Sequence, residues 1–234
     1  MKSHTEAILT IPEWKKIPFL VHGFGSKYWR DSDFQDHPIL QSFERLYLRQ
    51  IHSDIVHVIE EVPETTLSGD ALLTDREGLL LVIQTADCLP VLMADPEKKA
   101  LAAVHCGWRS MGQELIGKVI RYLEGRFQCD PATLLVALGP CIEKDCYEVG
   151  EDVRTVFRQR GLSDHVFSPH PHHMRKYYLD LRAAAENQLL DGGVKDAHIF
   201  LVNRCTYCEE FLFSYRRSRR KGGRMLSFIG KISS

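Results

Sequence analysis

LLLVIQTADC (Leu79–Cys88) and ALAAVHCGWR (Ala100–Arg109) are the two stretches whose reading decides the fold. The apolar run Leu79–Ile83 predicts a strand buried on both faces. It breaks at Thr85, Ala86, Asp87 and Cys88, which places those side chains at a strand end. Ala100–Val104 predicts a second strand, built of small residues, that stops at His105, Cys106, Gly107, Trp108 and Arg109. Ser110 then predicts an N-cap with Gln113 three positions on, the reciprocal capping box. Met111, Leu115, Ile116, Val119, Ile120 and Leu123 fall on one helical face, with Gly125 as the stop. The unit is strand, polar turn, helix.

Outward from this unit, Ala7–Ile11, Arg49–Ile59, Leu134–Leu138, His198–Val202, Phe211–Tyr215 and Met225–Ile229 predict strands. Glu151–Gln159 and Leu179–Leu190 predict amphipathic helices, the latter closed by Gly192 and Gly193, and Ser168–Lys176 predicts a loop. Strands and helices mix without a regular βαβ count. The expectation is an α/β (α+β) fold, a single layered domain over residues 1–234 with mixed β-sheets flanked by helices. No repeat or low-complexity tract points to a solenoid or a disordered array.

A chain of 234 residues with 44% hydrophobic and 26% charged residues and a formal net charge of -1 is ordinary globular composition. Nothing in this charge balance implies a nucleic-acid or membrane partner. The start MKSHTEAILTIPEW has no basic segment followed by an apolar stretch of roughly 7–15 residues, and no run is long enough to cross a bilayer; a cytoplasmic location is expected. Seven cysteines, an odd number without the spacing of a secreted disulfide framework, point to free thiols or metal ligands.

Three polar side chains stand at or near strand ends: His52, Cys88 and His105. Imidazole and thiolate are preferred zinc ligands, and three protein ligands leave a fourth position open for catalysis. Their intervals of 36 and 17 residues match no local zinc signature. Spacing therefore leaves a second reading open, with His52 a hydrogen-bonded histidine, Cys88 an inert core thiol and His105 a turn residue. There is no His-x-Glu paired with Pro-Cys-x-x-Cys, no His-Glu-x-x-His, no Walker A loop and no Gly-x-Gly-x-x-Gly.

Cys205 and Cys208 form a lone C-x-x-C, half of a zinc site or a redox pair, for which a structural role weighs more. His170, His172 and His173 lie in the expected loop and read as solvated surface. The run from Arg216 to Lys221 reads as a solvated hairpin loop, with phosphate binding as the alternative. Arg49 and Arg109 each lie within four residues of a proposed ligand. They offer paired donors to an anionic oxygen, or else ion pairs to Asp54, Asp70 or Asp87.

Several stretches taken together resemble the laccase-domain family, also called multicopper polyphenol oxidoreductases, bacterial purine nucleoside phosphorylases and, in some members, peptidoglycan editing factors. They are Gln50–His52, Gly69–Thr74, Thr85–Pro90, Val104–Arg109, Gly139–Ile142, Tyr147–Gly150, Leu179–Leu181, Cys205–Cys208, Phe213–Arg217 and Gly223–Met225. The order and spacing match from about residue 49 to 230. The resemblance implies a metal, zinc with copper as the alternative, held by His52, Cys88 and His105, at strand ends of a layered α/β fold with mixed sheets. The chain departs from the family before residue 49. His22–Ser26 looks like the family's opening, but the short segment Lys27–Tyr47 replaces the Gly-Gly-x-Ser loop and Asn-Arg helix, so part of the substrate wall is expected to be rebuilt.

The resemblance further implies phosphorolysis of adenosine, inosine and methylthioadenosine, and hydrolytic deamination of adenosine. The partners would be a purine nucleoside and phosphate. Deamination needs hydroxide delivered to C6 and an acid for the departing amine. Asp87 is the candidate proton carrier, with orientation of His52 or His105 as its alternative role. Phosphorolysis needs an anion held at C1′, for which Arg49 and Arg109 are candidates. Copper-dependent oxidation of phenols, and binding or editing of peptidoglycan precursors, are the competing functions.

Overall fold

The computed structural model describes residues 7–219 and 221–232. Among them run two large mixed sheets, one small antiparallel sheet and five α-helices, the α/β architecture expected. The first sheet orders its strands Ile8–Leu9, Leu20–Gly25, Met225–Lys231, Leu79–Thr85 and Glu44–Tyr47. The second runs Ile199–Leu201, Leu135–Leu138, Leu89–Ala94, Leu101–Cys106, Ala71–Thr74 and Val56–Val58.

Period-two alternation explains the layering. Along Leu101–Cys106, Leu101 and Ala103 face the first sheet, while Ala102, Val104 and Cys106 face the helices Leu115–Phe127 and Leu181–Asp191. Leu79, Leu81 and Ile83 enter the inter-sheet core, whereas Leu80 and Val82 face the opposite side among Phe34, Leu40, Phe43 and Phe228. Leu79–Ile83 is therefore buried on both faces, as its composition predicts. The segment Lys27–Tyr47 supplies Phe34, Leu40 and Phe43, so it covers the outer face of the first sheet.

Several elements differ from expectation for local reasons. Only Val56–Val58 of Arg49–Ile59 is a strand, because the N–H groups of Ile51, His52 and Ser53 turn toward the Asp70 carboxylate rather than a ladder. Phe211–Tyr215 is a turn, with Leu212 buried and its carbonyl taken by Arg217. Ser110 is not an N-cap. It sits at the third position of the short helix Trp108–Met111, where its hydroxyl accepts from the Gly107 N–H.

The long helix begins afresh at Leu115 after a left-handed Glu114. It runs past Gly125 to Phe127 and ends at a left-handed Gln128. Ser168–Lys176 is in part a hairpin, since Phe167–Pro169 pairs with Lys176–Leu179. Leu89–Ala94, a central strand absent from the sequence reading, hides behind Pro90. Pro90 lies at its entrance, before pairing with Leu135–Leu138 begins at Val91. Met1–Glu6, Arg220 and residues 233–234 lie outside the described residues, which removes the first six residues of the start MKSHTEAILTIPEW and one arginine of the basic run.

His22 ties the first sheet to the N-terminal turn. Its Nε2 accepts from the Ile11 N–H at 2.9 Å and its ring lies 4.9 Å from that of Trp14. Burial, assisted by Lys15, lowers its pKa from 6.5 to about 4. The unfolded chain therefore takes up this proton more readily than the fold. The stability that the neutral ring contributes is complete above 6.5 and is lost as pH falls toward 4. The loss amounts to at most about 3 kcal/mol. Urea melts across this window should show the decline, and H22Q should flatten it.

Candidate metal centre

The centre is built around Asp70, which is fully buried just before the strand Ala71–Thr74. Its Oδ1 accepts from the His52 N–H at 3.0 Å and from His105 Nδ1 at 2.7 Å. Its Oδ2 accepts from the N–H groups of Ile51 at 3.3 Å and Ser53 at 2.6 Å, and from the Ser53 hydroxyl at 2.7 Å. Burial opposes ionisation of Asp70, but the bonds from His105 and Ser53 outweigh it and hold the carboxyl at about 2.

This arrangement fixes both histidines. His52 takes a left-handed conformation, φ 59°, which costs energy in a residue with a Cβ and is held by the three N–H bonds to Asp70. His105 presents Nε2 to the centre because Nδ1 is committed to Asp70, and such a partner sets the orientation of a ligating imidazole. Gln50 adds a further tie. Its amide donates to the Gln84 carbonyl and accepts from the Gln84 N–H, at 2.8 and 2.7 Å, joining the His52 loop to the end of Leu79–Thr85.

The ligating atoms of His52, Cys88 and His105 all lie within 4.8 Å of one another. Cys88 Sγ is 3.8 Å from His52 Nε2, and the two imidazoles stand edge to face, 4.8 Å apart. Although burial raises a thiol's pKa, the charge and hydrogen bonds of His105 and His52 bring Cys88 down to about 6. Burial likewise opposes protonation of His105, but Cys88 and Asp70 lift it to about 9. The pair is disposed as thiolate and imidazolium, and a cation that displaces the imidazole proton meets a ready thiolate.

Gly107 makes the room. A Cβ there would lie 2.9 Å from His52 Cδ2 and 3.1 Å from Cys88 Sγ. The soft and borderline donors, the committed Nδ1 and this cradle fit a zinc ion, and the same donors suit copper.

The centre lies at the floor of a cleft of about 840 Å³, lined also by Arg49, Arg109, Asp87, Trp108, Tyr147 and Tyr215. Arg109 stacks its guanidinium 4.3 Å from the Trp108 ring. The carboxylates once paired with these arginines on sequence grounds are engaged elsewhere: Asp54 with Lys118, Asp70 with His105, and Asp87 with the Thr206 hydroxyl and the Arg216 N–H. Asp87, left-handed at φ 91°, therefore does not orient either histidine. Asp70 does.

Among the described residues, none from Lys27 to Tyr47 lines the cleft, whose wall begins at Leu48. Three residues of the basic tail line it instead: Arg216, Arg219 and Arg224. Arg217 points away, into the carbonyls of Thr206 and Tyr207. The periodicity of a charge run could not separate these roles. His170, His172 and His173 join no ligand group among the described residues.

Residues 34–231 match the family described as multi-copper polyphenol oxidoreductase laccase. The chain belongs to this family. Among similar proteins, a purine nucleoside phosphorylase of Clostridium acetobutylicum is 36% identical over 191 residues, covering 79% of this chain and 76% of that protein. The purine nucleoside phosphorylase YfiH of Escherichia coli is 35% identical over 188 residues, covering 80% and 74%. The crystal structure of the hypothetical protein YfiH from Bacillus licheniformis is similar with a TM-score of 0.87 at 25% identity, over 98% of each chain. YlmD from Geobacillus stearothermophilus gives 0.85 at 26%, over 99% of this chain and 98% of that one.

Two substitutions test the centre. D70N removes charge from the group that holds both histidines and should weaken zinc binding about 10- to 100-fold. G107A should weaken it too, by pushing a methyl between His52 and Cys88, while an exposed control such as Q41A leaves it unchanged. Competition titration against a chromophoric chelator measures both.

Proposed function

We propose that this chain is a metal-dependent purine nucleoside enzyme that carries out phosphorolysis of adenosine, inosine and methylthioadenosine and hydrolytic deamination of adenosine, with zinc at His52, Cys88 and His105. The observation that carries this reading is a three-ligand centre on the floor of a cleft whose walls hold Arg49, Arg109, Arg216, Arg219 and Arg224. The names of the relatives support the phosphorolytic part. We take residues 1–234 to work as one domain in the cytoplasm; no helix among the described residues is long and apolar enough to cross a membrane.

A zinc ion there supplies Lewis acidity and lowers the pKa of water at its open position. The protein's own groups do the rest. Arg49 and Arg109 join none of the ion pairs among the described residues, so their forks are available to hold phosphate for attack at C1′. Trp108, Tyr147 and Tyr215 give the purine aromatic surface. Asp87, one residue from Cys88 and steadied by Thr206 and Arg216, carries the proton to the departing amine in deamination. A second reading, copper-dependent phenol oxidation, draws on the His2Cys donor set, which copper also accepts.

Chromatography of adenosine incubated with protein purified without added copper separates these readings. Adenine should form only with phosphate, and inosine with or without it. H52A and C88A should lose both metal and turnover; full retention of both overturns the assignment. R49A and R109A should slow phosphorolysis about 10- to 100-fold while sparing deamination. Phenol oxidation that requires added copper, without nucleoside turnover, would establish the second reading.

A further inference from the structure

Cys146, Cys205 and Cys208 bring three sulfur atoms within 4.8 Å of one another, in a cluster separate from His52, Cys88 and His105. Cys146 lies 62 residues from Cys208, and their sulfurs are 3.4 Å apart. We propose that these three cysteines form a second metal site that takes a thiophilic ion, zinc first, as a structural clip between two walls of the cleft.

The backbone on both sides of the cluster is already fixed. Arg217 donates to the carbonyls of Thr206 at 2.6 Å, Tyr207 at 2.7 Å and Glu209 at 3.2 Å, which sets the turn that carries Cys205 and Cys208. The Thr206 N–H donates to the Cys141 carbonyl at 3.0 Å, and Arg182 bridges the Glu143 carboxylate to the Arg204 carbonyl. These bonds hold the segment of Cys146 against that of Cys205. The Glu143 N–H donates toward Cys205 Sγ, 3.5 Å away, which fixes the position of that sulfur.

The spacing suits a tetrahedral ion. Zinc–sulfur bonds of about 2.3 Å put thiolates about 3.8 Å apart, within the spread of this cluster. Cys205 is buried, Cys146 half-buried and Cys208 exposed, so an ion enters from solvent at Cys208 and keeps a fourth position there for water. On binding, each sulfur gives an electron pair to the metal and each thiol releases its proton to solvent. Nothing is oxidised or reduced.

The position gives the clip its purpose. Cys146 precedes Tyr147, which lines the cleft, and Thr206 donates to Asp87 beside Cys88. An ion joining Cys146 to Cys205 and Cys208 therefore links the Tyr147 wall to the support of Asp87 across 62 residues of chain. The proposal does not depend on which reaction the cleft performs.

The test is metal stoichiometry on the whole protein, stripped with chelator under reductant and refilled with zinc or cobalt(II). Wild type should bind two equivalents and H52A one, with the thiolate-to-cobalt absorption of H52A about three times as strong per ion as the one-thiolate signal of C208S. C208S and C146S should each bind one. Zinc-loaded wild type should also melt several degrees above zinc-loaded C208S. Cys208 is exposed, so C208S tests the site even where C146S fails to fold. One equivalent in wild type, or two in C208S, overturns the proposal. So does a wild-type protein that stays metal-free here and is isolated with Cys146 and Cys208 disulfide-linked.

Discussion

The buried carboxylate of Asp70 accepts hydrogen bonds from three consecutive backbone N–H groups, from a hydroxyl and from an imidazole, and its own carbonyl accepts from the His105 N–H. A charge so far from water survives only because each of its lone pairs is used. It holds the His52 loop in its left-handed turn and commits one nitrogen of the His105 ring. With Asp70 in place, ligands from distant parts of the chain meet at one point without a local binding motif.

The remaining geometry follows from the sheets. Cys88 lies between two strands that belong to different sheets, Leu79–Thr85 of the first and Leu89–Ala94 of the second. His105 occupies the strand beside Leu89–Ala94, paired with Pro90. The helices Leu115–Phe127 and Leu181–Asp191 bury the back of the second sheet, leaving the strand ends free to line the cleft.

The layered architecture was legible wherever hydrophobic periodicity ran uninterrupted. Leu79–Ile83, Ala100–Val104 and Glu151–Gln159 needed nothing beyond their own residues. Periodicity failed where polar groups far along the chain took command of the backbone, as Asp70 does at Ile51–Ser53 and Arg217 at Leu212. The candidate triad of His52, Cys88 and His105 was visible as residue types and became a specific expectation only through the resemblance of linked segments. Asp70 and Gln50 lay within quoted segments, yet their contacts are made across distances in sequence that no local pattern encodes. The thiol cluster was half visible, as Cys205 and Cys208; its third sulfur comes from a turn whose approach depends on the whole fold.

The passage of the chain from one sheet to the other at Thr85–Cys88 has a mechanical consequence. Cys88 belongs to the seam between the layers and His105 to one layer alone, so their separation depends on how the two sheets are seated on each other. Residues such as Phe24, Leu81 and Leu92, in the core between the layers, thereby set the bite of the candidate metal centre. Its affinity for an ion becomes a gauge of how well the interior is packed.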